Sequence, residues 1–476
     1  MLEIYALLQC LTVCLDATSL RQLGAIVPAF LSMTGRVTML GISRWTDEGG
    51  SYRTVQRFFT APINWGKLHW CFIRHKLWDA EATYILVGDE VVVTKAGKHT
   101  YGLDRFFSSL YKRPVPGLCF FNFSLINTKT RTAYPVLSEQ VVREQVGDPK
   151  AAKKKTKKQK KCQLSKQKRK PGRPKGSKNK EQPDLSSYLR FIQAHLKTLL
   201  ARICVDLCVV YVVLDGAFGD NDAMQMVRQC DRHLISKLKH NSALYFPYEG
   251  PYAGRGPRRK YGDKIDYDHI PEEYLKETTF EDEIQTDIYQ MTMLHRLFAQ
   301  PLNVVVIVKT NLVTQAKAHV VLFSSDLELD YDKLIDYYKL RFQIEFNFRD
   351  AKQYWGLEDF MNIKQTPLYN AVNLSFFMVN LSQVLIQQIR TDTDNPDFSV
   401  TDLKAHFRGL KYVNETTLFT SHCDYAAFFR GKSSSTVMGM FAVLGLYKWC
   451  SSILAYRSSS NAFLIVCCFR RLYRVF

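Results

Sequence analysis

No run of about 20 apolar residues, the length that spans a bilayer, occurs in the 476-residue chain, so no membrane-crossing helix is expected. The 12 cysteines contain no Cys-x-x-Cys pair. Cys230 and His233 have the spacing of half a zinc site, but the other half is missing, and reduced thiols are the simpler expectation. The opening stretch MLEIYALLQCLTVCLDATSL is apolar, yet it begins with an acid and lacks a basic flank or a small-residue cleavage site. A packed helix is expected there rather than a secretory signal. Acidic residues are absent from 150–180, which hold sixteen Lys and Arg, so the formal net charge of +20 falls to about +4 in the rest of the chain. Affinity for polyanions is therefore concentrated in one arm. With 46% hydrophobic residues and this length, two or three packed domains are expected.

The most informative stretch is YKLRFQIEFNFRDAK, residues 338–352. Tyr338, Arg341, Glu345 and Lys352 lie at offsets of 0, 3, 7 and 14, which on a helix turning about 100° per residue fall within roughly 60° of arc. Such a face can be a solvated stripe with i,i+4 charge pairs. The interleaved Tyr337, Leu340, Phe342, Ile344, Phe346 and Phe348 argue against a mostly exposed helix. Charges on a buried helix need partners or ligands.

Two upstream segments carry acids in buried surroundings. YILVGDEVVV, residues 84–93, reads as a strand covered on both faces with Asp89 and Glu90 in its middle. Adjacent side chains point to opposite faces, so the two acids cannot serve one site. In CVVYVVLDGAFGDNDAMQMVRQC a buried strand ends at Asp215, then come a Gly-containing turn and a helix. The carboxyl end of a strand is where an α/β protein places chemistry, although a plain turn aspartate fits the same residues. Asp220 and Asp222 suit helix capping or a first turn.

The spacing Y-x2-R-x3-E-x6-K resembles the motif of one group of bacterial insertion-sequence transposases, the DDE enzymes with a Tyr-Arg-Glu-Lys motif; all four positions match. The resemblance implies an α/β fold, an RNase H-like mixed sheet flanked by helices, with a helical N-terminal DNA-binding domain and a β-rich insertion. It makes Glu345 the third of three metal-binding carboxylates, selects Asp89 over Glu90 as the first, and takes Asp215, in an Asp-Gly-x-Phe setting, as the second. Tyr338, Arg341 and Lys352 would contact DNA. Three acidic oxygen donors suit Mg²⁺ or Mn²⁺, and two such ions serve an in-line phosphodiester displacement. The implied activity is cleavage of transposon terminal repeats and joining of the freed 3′-OH to target DNA, by a homodimer acting on two ends in the bacterial cytoplasm at the nucleoid. An RNase H-like nuclease that cuts without joining, and an inactive transposase-derived DNA-binding protein, remain open.

The remaining segments fall into place along the chain. Residues 1–80 read as helical; Gly49 and Gly50 break the pattern and Ser51 can cap a helix carrying Arg53, Gln56 and Arg57. That pattern fits a helix-turn-helix or an ordinary helical hairpin, and the resemblance favours DNA binding. Residues 81–148 form the first part of the catalytic domain: the strand with Asp89, a basic loop with Lys95, Lys98, His99 and Arg105, and two strands turning near Asn127. Residues 149–183 are a low-complexity basic arm, expected to be disordered, whose Gly172-Arg173-Pro174 core resembles an AT-hook. Residues 184–240 are the second part of the catalytic domain, and 241–328 correspond to the β-rich insertion, with Arg255, Arg258, Arg259 and Lys260 as DNA contacts. The Tyr338 helix and two further helices occupy 329–410. The tail, 411–476, fits no pattern.

Overall fold

The computed structural model describes residues 4–46, 50–108, 111–143, 180–252, 254 and 257–422; the AT-hook-like Arg173, Arg255 and most of the C-terminal tail lie outside them. Five helices come first: α1 (Ile4–Leu8), α2 (Ala17–Ser32), α3 (Met39–Trp45), α4 (Tyr52–Thr60) and α5 (Trp65–Lys76). Their starts follow local chemistry. Asp16 accepts from the N–H groups of Thr18 and Ser19, Asn64 from that of Lys67, and Ser51 caps α4 by accepting from Thr54, as the sequence suggests.

Strands β1 (Tyr84–Thr94), β2 (Asp104–Ser108), β3 (Arg113–Asn127) and β4 (Thr132–Val141) form an antiparallel group in which the long β3 pairs with β1 on one side and with β2 and then β4 on the other. Helix α6 (Ser187–Ile203), capped by Ser186, leads to β5 (Tyr211–Leu214), and α7 (Asn221–Arg228) leads to β6 (His233–Lys237). The pairs β1–β5 and β5–β6 are parallel, because helical crossovers return each strand in the same direction. The order β4-β3-β1-β5-β6 is the RNase H-like sheet.

Strands β7 (Leu244–Pro247), β8 (Tyr261–Lys264), β9 (Leu275–Glu281), β10 (Ile284–His295), β11 (Leu302–Asn311) and β12 (Lys317–Ser324) extend this sheet. β12 lies antiparallel beside β6, with Phe323 opposite Ser236, and the result is one 12-stranded sheet. Four more helices follow: α8 (Tyr331–Leu340), α9 (Gln343–Gln353), α10 (Gln365–Thr393) and α11 (Val400–His422).

Strand alternation sorts the central sheet into two cores. Ile85 and Val87 of β1 and Val213 of β5 face a core built with α2, α4, α5 and α8–α11, while Leu86, Val212 and Leu214 face α6 and α7. The N-terminal helices share the first core with α10. Trp65 Nε1 donates to Asn370 Oδ1 at 2.7 Å, and Asn370 Nδ2 donates to the carbonyls of Phe59 and Ala61 at 2.8 Å each. These buried bonds fasten α4 and α5 to α10, since an unpaired polar group there costs about 1–3 kcal/mol.

One expectation is corrected. The single helix expected over residues 338–352 is broken at Arg341 and Phe342, where the bonds are of the i→i−3 type: Arg341 N–H to Tyr338 O at 3.3 Å and Phe342 N–H to Lys339 O at 3.2 Å. This tighter turn ends one helix and starts the next without Gly or Pro. Phe342 and Phe346 also differ from expectation, being 50% and 37% exposed. Among the described residues no helix is long and apolar enough to cross a membrane.

Candidate active site

The parallel pairing of β1 and β5 puts Gly88 opposite Leu214, so the next residues, Asp89 within β1 and Asp215 just past the end of β5, stand side by side. Both belong to the alternation that faces α8 and α9. Gly88 permits the approach: a Cβ there would lie 2.8 Å from the Phe121 ring and 2.9 Å from Leu214. Asp215 caps the short turn after β5, accepting from Ala217 N–H at 2.9 Å, and its carbonyl accepts from Ser236 Oγ at 2.7 Å. That turn lies directly against β6, for a Cβ on Gly219 would fall 2.2 Å from the Lys237 carbonyl oxygen. Glu90 points to the opposite face, where Tyr188 Oη donates to it and Cys119 Sγ donates at 3.7 Å.

Glu345 arrives from the first turn of α9. A buried polar relay holds that helix to the sheet: Asn347 Nδ2 donates to Ser124 Oγ at 3.3 Å, and Ser124 Oγ donates to Asn122 Oδ1 at 3.0 Å. Asn122 is the cross-strand partner of Asp89, so the relay ends on the residue opposite that acid. Nδ2 of Asn122 is buried and has no protein partner. Arg341, in the turn between α8 and α9, donates from Nη1 to Asp89 Oδ2 at 3.0 Å, and its Nη2 lies 3.5 Å from Glu345 Oε1. The guanidinium lies 5.9 Å from the centre of the Tyr338 ring.

The electrostatics of Asp89 record this crowding. Burial pushes its carboxyl up to about 6, opposed by the Glu90 N–H and the Arg341 charge, while the carboxylates of Asp215 and Glu345 raise it further. Asp215 and Glu345 therefore both lie within electrostatic reach of Asp89. The donor chemistry suits a hard divalent ion: carboxylates from β1, from the turn after β5 and from α9, in a pocket where gathered negative charge is already costly. Among the described residues no three His, Cys, Asp or Glu side chains stand close enough to grip an ion, and Arg341 bridges two of the acids instead.

The other expected residues distribute as follows. Tyr338 and Arg341 join the acids. Lys352 sits farther along β1, donating to Val92 O at 3.1 Å and pairing with Glu358 at 2.9 Å. Arg53 and Arg57 lie on the exposed face of α4, whose other face buries Val55, Phe58 and Phe59. Lys98 is exposed in the loop after β1. Arg258 is exposed before β8, and Arg259 donates to Tyr261 O at 2.8 Å with its guanidinium 4.7 Å from the Tyr248 ring. Lys95 is engaged within the protein, donating to the carbonyls of Glu358 and Phe360 at 2.7 and 2.8 Å. Asn122, Ser124 and Asn347 escape the sequence reading; the polar pair in the apolar run FFNFSLIN was the available signal.

An RNase H-like sheet with one acid on a central strand, a second just past the end of the parallel strand beside it and a third on a helix packed against them is the architecture of DDE-type enzymes. The chain belongs to the DDE superfamily endonuclease family, which matches residues 6–297. The matched span contains Asp89 and Asp215 and ends before Glu345. No curated protein matches the chain. Family membership makes DNA the expected substrate class.

Proposed function

We propose that the protein is a DNA transposase of the group with the Tyr-Arg-Glu-Lys motif, and that Asp89, Asp215 and Glu345 are its catalytic acids. The observation that carries this reading is the β1–β5 register, which sets Asp89 beside Asp215, together with the Arg341 bridge from Asp89 to Glu345. The three carboxylates would hold Mg²⁺ or Mn²⁺, as one ion or two, and the bound metal would activate the attacking water or 3′-hydroxyl and stabilise the leaving oxygen. Asp89, with its carboxyl near 6, is ionised at pH 7.5 and able to act as a ligand. Arg341, paired with Asp89 and Glu345 in the free protein, would be released to a DNA phosphate if the acids held metal. Tyr338 and Lys352 flank it as positioning groups. The exposed face of α4 with Arg53 and Arg57, the loop with Lys98, the segment before β8 with Arg258 and Arg259, and the basic arm with Arg173 extend the DNA contact. Two copies act on two ends.

Joining separates this proposal from simple cutting. Purified protein, Mg²⁺ and a labelled fragment carrying the element's own terminal repeats are incubated with plasmid target. Covalently joined products are the expected result; cleaved ends that never join would contradict the transposase reading and leave a nuclease.

A further inference from the structure

Beside Asp215 the surface opens into a groove of about 690 Å³ running along the seam where β12 joins β6. Asp215 and Arg341 line it, with Lys237, Lys239 and His240 forming the wall on the β6 side and His319 the wall on the β12 side. The His319 wall is backed by a stacked aromatic pair. Tyr267 stacks on His319 at 4.5 Å with an interplanar angle of 10°, and the His240 and His319 rings lie 6.4 Å apart. Hydrogen bonds fix this group: Tyr267 Oη donates to Ser242 O at 2.8 Å, and His319 Nε2 lies 2.7 Å from His240 O. Lys239 and His240 are themselves exposed.

We propose that this groove is a track for a single DNA strand, which it leads to Asp215. A positive groove with ring faces along it is how proteins hold unpaired strands without reading sequence: cations follow the phosphates and rings stack on bases. A space of this size admits a few nucleotides of one strand rather than a duplex. The seam position carries a second consequence: β12, from the added strands, supplies one wall of the track and so contributes to substrate binding as well as to the sheet. The inference deepens the transposase reading and rests on it for what happens at Asp215, while binding of the strand stands apart from catalysis.

The test uses the full-length protein with fluorescein-labelled oligodeoxythymidylate and a duplex of equal length, followed by anisotropy across a salt series. Because Lys239 and His240 are exposed, Lys239→Ala with His240→Ala leaves the core untouched. Single-strand affinity should fall at least tenfold and duplex affinity less than twofold, with the single-strand salt slope reduced by about 0.7 for the lost lysine. Bromodeoxyuridine cross-links should map to residues 237–241 and 317–321. Equal losses for both DNAs, unchanged single-strand binding, or cross-links elsewhere would overturn the track. Glu345→Gln separates the two readings. It should abolish cleavage and keep single-strand binding; retained cleavage would sink the catalytic assignment while leaving the groove to be judged on binding alone.

Discussion

Arg341 bridges Asp89 and Glu345, at 3.0 Å to the first and 3.5 Å to the second, and so occupies the charge balance that a divalent ion would otherwise supply. Removing it exposes the acids to one another. In Arg341→Gln at pH 8, Mn²⁺ should bind at least as tightly as in wild type, because a competing cation has gone, while DNA cleavage falls at least 100-fold. Titration calorimetry and a cleavage assay check the two halves; weaker metal binding together with lost cleavage would place Arg341 as a structural support only.

Asp89 ties pH to stability. Its carboxyl rises from 3.8 to about 6 in the folded protein, chiefly through burial, so the folded state holds the proton more firmly than the unfolded chain. The contribution is fully present below about pH 4 and is lost as pH rises through 6. Metal-free Asp89→Asn should therefore be more stable than wild type at pH 7.5, by on the order of 2–3 kcal/mol, and little different at pH 4. Thermal melts at the two pH values test the sign, and added Mg²⁺ should raise the melting temperature of wild type alone.

Asn347 fastens the Glu345 helix to β3 through Ser124. Asn347→Ala should cost about 1–2 kcal/mol and lower the cleavage rate about tenfold with DNA affinity unchanged. Single-turnover rates at saturating protein read this directly, and an unchanged rate would show that the relay does not position Glu345.

The turn after Asp215 permits a paired comparison. A Cβ on Gly219 would meet the Lys237 carbonyl oxygen at 2.2 Å, whereas one on Gly216 would lie 3.6 Å from the nearest atoms. Gly219→Ala should lose about 1–3 kcal/mol and displace Asp215, and Gly216→Ala should behave as wild type. Denaturant melts of both variants decide it; equal stability would mean that the turn is free to shift.

Local signals made much of this legible. The buried strand around Asp89, the opposite facing of Glu90 and the Ser51 cap follow from short-range patterns, and Asp215 stands at a strand end as its flanking residues indicate. What the sequence left unstated is non-local. The tightened turn at Arg341 and Phe342 contains no helix breaker, so periodicity ran straight through it. The relay from Asn122 to Asn347 joins positions more than 220 residues apart and has no spacing of its own. Amphipathic patterns in residues 4–76 show which helix faces are buried, but not that α10 covers them. The insertion strands likewise carry no mark that β12 will pair with β6.

Asp89, Asp215 and Glu345 are proposed to form one metal-dependent centre. Cleavage of labelled terminal-repeat DNA is measured in Mg²⁺ for wild type, Asp89→Asn, Asp215→Asn and Glu345→Gln, with DNA binding followed in parallel. Cleavage that requires metal in the wild type and falls at least 1,000-fold in each variant, with binding retained, is the result expected. Any one variant that cuts as the wild type does would contradict the three-acid centre.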